Sequence, residues 1–200
     1  MGGGIAQVCA QAGMDVCLTD KSDAVLKKSL DNIFWSVGKF AEKGKISEDT
    51  DTVMGRIRTV SDRGPAKDAD LVIEAVFENL ELKQQIFSDL DSVCGANTLM
   101  ASNTSAIPIT ELAAMTSRPE KVMGIHFFSP VPMMMAVEVV KGLSTSDETA
   151  EAGRTFVEAI GKEPIMVNRD VAGFVINRIN FPSTIEAMNL VEQGVATCED

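Results

Sequence analysis

Short apolar runs alternate with longer stretches of helical periodicity along most of this chain. The stretches between the runs place apolar residues three or four positions apart, which is typical of amphipathic helices. The predicted strands are 15–19, 57–60, 71–76, 98–102, 122–128, 136–140 and 163–167, and the predicted helices are 3–13, 22–43, 80–93, 109–115 and 147–160. This alternation predicts βαβ units and a mostly parallel sheet.

The last third of the chain departs from that pattern. The run 136–140 follows 122–128 after a short loop that contains two prolines. A loop of this length is too short for the crossover between parallel strands, so we expect these two runs to pair antiparallel. Residues 173–194 are predicted to form a long helix, in which Pro182 should cause a kink or a restart.

Composition narrows the classes of function. A chain of 200 residues with 45% hydrophobic residues predicts a globular fold, and a net charge of −11 disfavours nucleic acid as a partner. No apolar segment is long enough to suggest a membrane span, and the start lacks the basic region of a signal peptide. The scattered cysteines and the single histidine predict free thiols in a reducing cytoplasm and no metal site.

The first twenty residues combine glycines at the start of a helix with an acid at the end of a strand. In a dinucleotide-binding unit the glycines let the backbone approach the pyrophosphate, and an acid about 20 residues later binds the ribose. Asp20 lies 18 residues after Gly2, which fits that role. No strand precedes these glycines, however. A glycine-rich terminus leading to a surface helix, with Asp20 in a capping segment, therefore remains an equal interpretation.

His126 and Glu138 are candidates for acid–base chemistry. His126 lies at the end of an apolar strand, and Glu138 lies among apolar residues, where an unpaired carboxylate is costly. If 122–128 and 136–140 pair antiparallel, the two side chains can meet. A carboxylate on one imidazole nitrogen fixes the tautomer and raises the basicity of the other nitrogen. A histidine satisfied within the core is the alternative interpretation.

A polar segment, "ASNTSAIP", follows the predicted strand at 98–102. Its polar residues are Ser102, Asn103, Thr104 and Ser105. The carboxyl ends of strands in open α/β sheets are where ligands bind, so these side chains could contact one. The same residue types also favour turns and helix caps, and both interpretations stay open here.

Five motifs in order resemble the 3-hydroxyacyl-CoA dehydrogenase family, most closely its short-chain, 3-hydroxybutyryl-CoA members. They are "MGGGIAQ", "LVIEAVFENLELKQQIF", "ASNTSAIPITELA", "GIHFFSPVPMMMAVEVV" and "VAGFVINRI". The resemblance runs essentially end to end. It implies a Rossmann-like sheet followed by a helical domain, and NAD-dependent oxidation of an (S)-3-hydroxyacyl-CoA to the 3-ketoacyl-CoA, a reaction of fatty acid β-oxidation.

The resemblance also implies roles for the catalytic candidates. His126 would be the general base and Glu138 would orient it. Ser105 would contact the reacting hydroxyl or carbonyl group, and Asn177 would support the substrate from the second domain.

On the cofactor side, the resemblance implies that Gly2 is the last glycine of the phosphate-binding fingerprint and that Asp20 binds the ribose of NAD. The other implied cofactor contacts are Glu78, Lys83, Asn103 and Ser129. Ser36 and Lys43, on the long helix after the first strand, would contact coenzyme A. An ordinary solvated helix face is the alternative for that pair.

The chain departs from the family in three ways. Ser129 stands where many members have asparagine, and serine is the shorter side chain. The first strand of the sheet and two fingerprint glycines are missing from the N-terminal region. We therefore expect an incomplete Rossmann-like domain at 1–170 and, at 171–200, only the start of the helical domain through which family members form homodimers.

Two other functions remain open. A non-catalytic relative could bind NAD(H) without turning over a substrate, as crystallin relatives of the family do. A dehydrogenase of a free hydroxy acid or sugar acid could use the same histidine and glutamate.

Overall fold

A computed structural model describes residues 1–199 of the chain. Strands and helices alternate, as the apolar pattern predicts. The helices are α1 (Gly2–Gln11), α2 (Asp23–Glu42), α3 (Thr50–Gly55), α4 (Leu80–Val93), α5 (Ile109–Ala113), α6 (Asp147–Ala159) and α7 (Ile176–Glu192), with short 3-10 helices at Gly64–Asp68 and Pro119–Lys121. The strands are β1 (Val16–Thr19), β2 (Ile57–Val60), β3 (Leu71–Glu74), β4 (Leu99–Ser102), β5 (Val122–Phe127), β6 (Ala136–Val140) and β7 (Glu163–Val167).

The strands form two sheets. β1 and β2 pair in parallel, and the other strands lie in the order β3-β4-β5-β6-β7. β3, β4 and β5 are parallel, whereas β6 runs antiparallel to β5 and parallel to β7. The predicted antiparallel pair is therefore confirmed. The fold is a Rossmann-like, mostly parallel α/β fold in which no described strand is bonded between β1 and β3.

Helix α1 connects the two sheets through its packing. Its first residue, Gly2, lies between the carboxyl ends of β1 and β3, because a β-carbon placed there would be 3.9 Å from both Leu18 and Ala75. Further along the helix, Ile5 packs with the core of the large sheet and Ala10 packs with the core under α2. The helix therefore contributes to the core beside the small sheet and to the core beside the large sheet.

Strands β5 and β6 form the buried centre of the large sheet. Every position of β5 is buried, and so are the last four of β6. Successive side chains of a strand point to opposite faces. Met123 and Ile125 accordingly share a core with Val157 of α6, whereas Val122 shares one with Ile109 of α5. His126 lies two positions beyond Gly124 on the α5 side, and this alternation places it there.

Two helices differ from the prediction. Helix α3 was not predicted; its N-terminus is capped by the side chain of Asp49. Helix α7 begins three residues later than expected, because Gly173 and Phe174 have left-handed backbone angles, φ of 77° and 48°. It continues through Pro182 without restarting. No helix within residues 1–199 has the length and apolar character needed to cross a membrane.

Candidate active site

Polar and titratable side chains gather at the carboxyl ends of the parallel strands. Glu74 ends β3, Ser102 ends β4, and His126 is the last residue but one of β5. All three side chains are buried. Ligands bind at this edge of open α/β sheets, so it is the candidate active site. Within the described part of the chain, no group of three or more His, Cys, Asp or Glu side chains could hold a metal ion.

His126 and Glu138 form a buried pair at this edge. They lie directly opposite each other in the antiparallel register of β5 and β6. The distance from Nδ1 of His126 to Oε2 of Glu138 is 2.6 Å. His126 is 6% exposed and Glu138 is fully buried. The contact expected from the spacing of the two segments is therefore present.

The second carboxylate oxygen of Glu138 is held by the start of α7. The backbone N–H groups of Val175 and Ile176 both donate to Oε1, each at 2.9 Å. Burial acts to raise the pKa of Glu138, but the hydrogen bonds from His126 and from the two amides outweigh it and hold the pKa below its ordinary value. Glu138 is therefore kept ionised although it is fully buried.

The other imidazole nitrogen of His126 is left open. Nε2 makes no hydrogen bond to any described residue, while the rings of Phe128 and Phe174 lie 4.6 Å and 5.6 Å from the imidazole. A carboxylate on Nδ1 favours the tautomer with its proton on Nδ1 and the lone pair on Nε2. The arrangement can therefore accept a proton from a ligand bound at the strand ends.

Glu78 organises the polar segment that follows β4. Its Oε1 accepts hydrogen bonds from the hydroxyl of Thr104 and from the backbone N–H groups of Ser105 and Ala106, the last two at 3.0 Å and 3.1 Å. Burial acts to raise the pKa of Glu78, but these bonds and the nearby ammonium of Lys83 lower it overall. Ser105 is half-buried, and its hydroxyl lies 3.5 Å from the same oxygen.

A second buried pair, between Lys83 and Glu74, lies next to that segment. The ammonium of Lys83 lies 2.8 Å and 2.9 Å from the two carboxylate oxygens of Glu74, and both side chains are 1% exposed. Ser102 donates a 2.6 Å hydrogen bond to Glu74. The ammonium also lies 3.5 Å from Glu78. Two of the predicted cofactor contacts, Glu78 and Lys83, are thus neighbours.

Glu74 was missed by the sequence analysis. Its signal was present, because a glutamate ends the apolar run "LVIE" and a buried carboxylate needs a partner. The partner is a lysine nine residues later, on the first turns of the following helix. Strand end and helix start lie close together in any βα unit, and that proximity could have identified the pair.

Residues 1–171 match the description "3-hydroxyacyl-CoA dehydrogenase, NAD binding domain". The chain belongs to the 3-hydroxyacyl-CoA dehydrogenase family. It is an oxidoreductase of this family, and NAD is its cofactor.

Three similar proteins illustrate the family. The probable 3-hydroxybutyryl-CoA dehydrogenase of Deinococcus radiodurans is 45% identical over 199 residues, which cover all of this chain and 71% of that protein. The structure of (S)-3-hydroxybutyryl-CoA dehydrogenase PaaH1 from Ralstonia eutropha matches with a TM-score of 0.94 at 42% identity, covering this whole chain and 70% of the other. An NAD-dependent 5-formyl-3-hydroxy-2-methylpyridine 4-carboxylic acid 5-dehydrogenase matches with a TM-score of 0.91 at 34% identity, covering this whole chain and 64% of the other.

The dehydrogenase has features at the start of α1 that fit NAD. No side chain caps the helix, and the N–H groups of Gly2 and Gly3 have no partner among the described residues. A helix N-terminus with free N–H groups suits a pyrophosphate. Asp20, just past the end of β1, is exposed, and one of its oxygens accepts a hydrogen bond from the N–H of Ser22. The other oxygen is free to bind a ribose hydroxyl.

The remaining predicted site residues lie at different depths in the dehydrogenase. Asn103 accepts a 2.9 Å hydrogen bond from the N–H of Phe127 and so connects the ends of β4 and β5. Ser129 is exposed just beyond β5, and Asn177 is half-buried in the first turn of α7. Ser36 is half-buried on α2, and Lys43, the residue directly after that helix, is exposed. Neither Ser36 nor Lys43 contacts the described residues at the carboxyl ends of the strands.

Proposed function

We propose that this protein oxidises (S)-3-hydroxyacyl-CoA thioesters, with 3-hydroxybutyryl-CoA as the expected substrate. His126 is the general base and Glu138 orients it. The observation that carries this proposal is the asymmetry of the imidazole. Its Nδ1 is fixed by a buried carboxylate, and its Nε2 has no partner among residues 1–199 at the edge of the sheet where ligands bind.

The proposed step moves one proton and one hydride. Nε2 of His126 takes the proton of the 3-hydroxyl group. NAD, bound at the start of α1, would accept the hydride from carbon 3. The products are the 3-ketoacyl-CoA, the reduced cofactor and an imidazolium ion, which the charge of Glu138 stabilises. The proton then passes to solvent, and in the reverse direction the imidazolium returns it to the oxygen.

Two further side chains position the reacting oxygen in this proposal. Ser105 is half-buried and its backbone is fixed by Glu78, and its hydroxyl group, 3.5 Å from Glu78, would turn to the substrate oxygen. Asn177 follows directly after Ile176, whose N–H binds Glu138. The amide of Asn177 would therefore support the substrate from the side of α7.

Coenzyme A would bind along α2. The segment 21–45 carries six lysines and three acidic residues, although the chain as a whole has a net charge of −11. A local excess of positive charge suits the phosphates of coenzyme A. In this proposal Ser36 and Lys43 contact the coenzyme.

We further propose that residues 1–170 form the NAD-binding domain and that residues 171–200 belong to a helical domain that binds substrate and forms a homodimer. The supporting observation is that no residue of α7 is buried, although the helix carries several large apolar side chains. Light scattering of the full protein tests the homodimer.

Substrate comparison tests the proposed function. NADH formation is measured with (S)-3-hydroxybutyryl-CoA, free 3-hydroxybutyrate and gulonate. We expect turnover with the thioester to exceed that with either free acid. A preference for a free acid would instead favour the second candidate, which draws support from the similar structure of a dehydrogenase named for a pyridine carboxylic acid. NADH binding without turnover on any of the three would favour a non-catalytic relative.

A charge reversal tests whether Lys43 itself contacts coenzyme A or only adds to the positive charge of the segment. Lys43→Glu should raise the KM for the thioester about fivefold, which is the upper end of what one exposed ion pair contributes. Lys27→Glu makes the same charge change at an exposed position near the other end of α2 and is the matched control. Equal effects of the two changes would remove the specific role of Lys43.

A further inference from the structure

The turn that leads into α7 approaches the buried pair from outside the sheet. Gly173 and Phe174 both have left-handed backbone angles, φ of 77° and 48°. The two residues that follow, Val175 and Ile176, donate their N–H groups to Oε1 of Glu138 at 2.9 Å. The direction of the turn therefore brings both donors to one carboxylate oxygen.

Phe174 is unusual in both backbone and burial. A residue with a β-carbon rarely adopts a positive φ, and such a conformation persists only where the surrounding structure holds it. Phe174 is 1% exposed, whereas its neighbours Val171 and Val175 are 46% and 36% exposed. Its side chain packs in the core formed by α4, α5 and the large sheet, and its ring lies edge-on to His126 at 5.6 Å.

We propose that Phe174 is a positioning residue for the catalytic pair. Its ring, anchored in the core, holds the left-handed turn, and the turn holds two amides on Glu138. The proposal rests on the proposed function for its catalytic meaning, but its geometry concerns the pair alone. Through Phe174, the placement of α7 controls the proton affinity of His126 and Glu138.

The two amides affect the pair in a definite direction. When the pair loses its remaining proton it carries one negative charge on Glu138, and N–H donors stabilise that anion. Without them the buried anion is less stable, so the pair keeps its proton to a higher pH. Two interacting groups share such a titration, so its midpoint describes the pair.

Other charges around the pair are few. Among the described residues, His126 is the only titratable side chain bonded to Glu138. On the neighbouring elements, Glu163 at the start of β7 and Arg178 on α7 form no ion pair with it. The charged residues of α5 and α6 are exposed or paired with other surface charges.

The test uses the single histidine of the chain. In untagged protein with 15N-labelled histidine, the imidazole nitrogen signals belong to His126 and follow its protonation. We expect Phe174→Ala to move the titration midpoint about one pH unit higher, the scale of a weakened hydrogen bond to a charged group. Phe181→Ala is the control, because Phe181 is an exposed phenylalanine on α7, and its midpoint should match that of the unchanged protein.

Two further variants separate the turn from the ring. Phe174→Leu keeps an apolar anchor and should restore most of the original midpoint. Phe174→Gly loses the anchor but adopts the left-handed angle without strain, so its midpoint should lie between those of the unchanged protein and Phe174→Ala. If Phe174→Ala does not fold, the titration midpoints of Phe174→Gly and Phe174→Leu are compared with that of the unchanged protein instead.

A midpoint within 0.2 pH unit of the original in folded Phe174→Ala, or in Phe174→Gly where alanine does not fold, would overturn the proposal. So would a leucine variant shifted as far as alanine, because the ring itself would then set the titration. The measurement needs no substrate. Its failure can therefore be told apart from failure of the proposed function, which is judged by NADH formation.

Discussion

Two buried acid–base pairs lie at the same edge of the sheet with β4 between them, and they differ in what they leave unbound. In the pair of Lys83 and Glu74, the ammonium contacts both carboxylate oxygens and the backbone oxygen of Val76. In the pair of His126 and Glu138, the carboxylate is saturated by one imidazole nitrogen and two amides, but Nε2 has no partner within the described residues. We call the pair of Lys83 and Glu74 the closed pair and the pair of His126 and Glu138 the open pair.

The difference indicates that one pair supports the structure and the other carries the chemistry. The closed pair connects β3, β4 and α4 and has no free group with which to react. The open pair fixes the histidine equally well but presents one nitrogen to a ligand. We therefore expect changes in the open pair to reduce turnover and changes in the closed pair to reduce stability.

His126→Gln should have the largest effect on turnover. Glutamine can still contact Glu138 but cannot accept the substrate proton at neutral pH, and general-base catalysis typically contributes 10² to 10⁴-fold. We expect kcat for NADH formation to fall about 10⁴-fold while NADH affinity, measured by its fluorescence, stays within about threefold. A fall in NADH affinity equal to the fall in kcat would remove the distinction between the two pairs.

Glu138→Gln should lower kcat about 10³-fold. The glutamine oxygen can accept from the two α7 amides, but its NH₂ group would then face Nδ1 of His126. The imidazole must accept there and carry its proton on Nε2, which is the wrong tautomer for a base. Glu163→Gln, at an exposed position on β7, is the control and should change kcat less than twofold.

Lys83→Met should act mainly on stability. It leaves the carboxylate of Glu74 buried without its cation, which costs about 3–5 kcal/mol in the free energy of unfolding. Adding Glu74→Gln removes the stranded charge, so the double variant should recover at least half of the loss. Urea unfolding followed by circular dichroism measures both, and a double variant no more stable than the single one would contradict the closed pair.

Ser102→Ala should have the smallest effect. It removes the 2.6 Å hydrogen bond to Glu74, with an expected cost of about 1–2 kcal/mol, because the ammonium of Lys83 remains. Ser92→Ala is the matched control, since its hydroxyl bonds only to the exposed backbone oxygen of Asp89 and should cost less than about 0.5 kcal/mol. Equal losses in the two variants would show that Ser102 is not part of the closed pair.

The open pair could be predicted from sequence, whereas much of its support could not. A short proline-containing loop forces 122–128 and 136–140 to pair antiparallel, and that register brings His126 to Glu138. The amides that bind Glu138 come from 37 and 38 residues further along the chain. No local pattern marks them, because backbone donors have no sequence signature and the turn at Phe174 depends on packing.

Other features of the fold also divide into those that local residue types predict and those that depend on packing. The cap of α2 at Ser22 and that of α6 at Ser146 follow from local residue types and were close to the predicted helix starts. Helix α3 was missed because it is a single short stretch with only one buried residue, Val53. The partnership of Lys83 with Glu74 needed knowledge of how a helix start lies against a strand end.

Chemical rescue of His126→Ala tests the central claim most directly, because it replaces the missing base with one of known titration. The variant should lose nearly all NADH formation from (S)-3-hydroxybutyryl-CoA, and imidazole in the buffer should restore part of it, in proportion to the neutral imidazole present. Rescue should therefore increase as the pH rises through the pKa of imidazole. Undiminished turnover in the variant, or equal rescue by imidazolium at low pH, would contradict the assignment of His126 as the base.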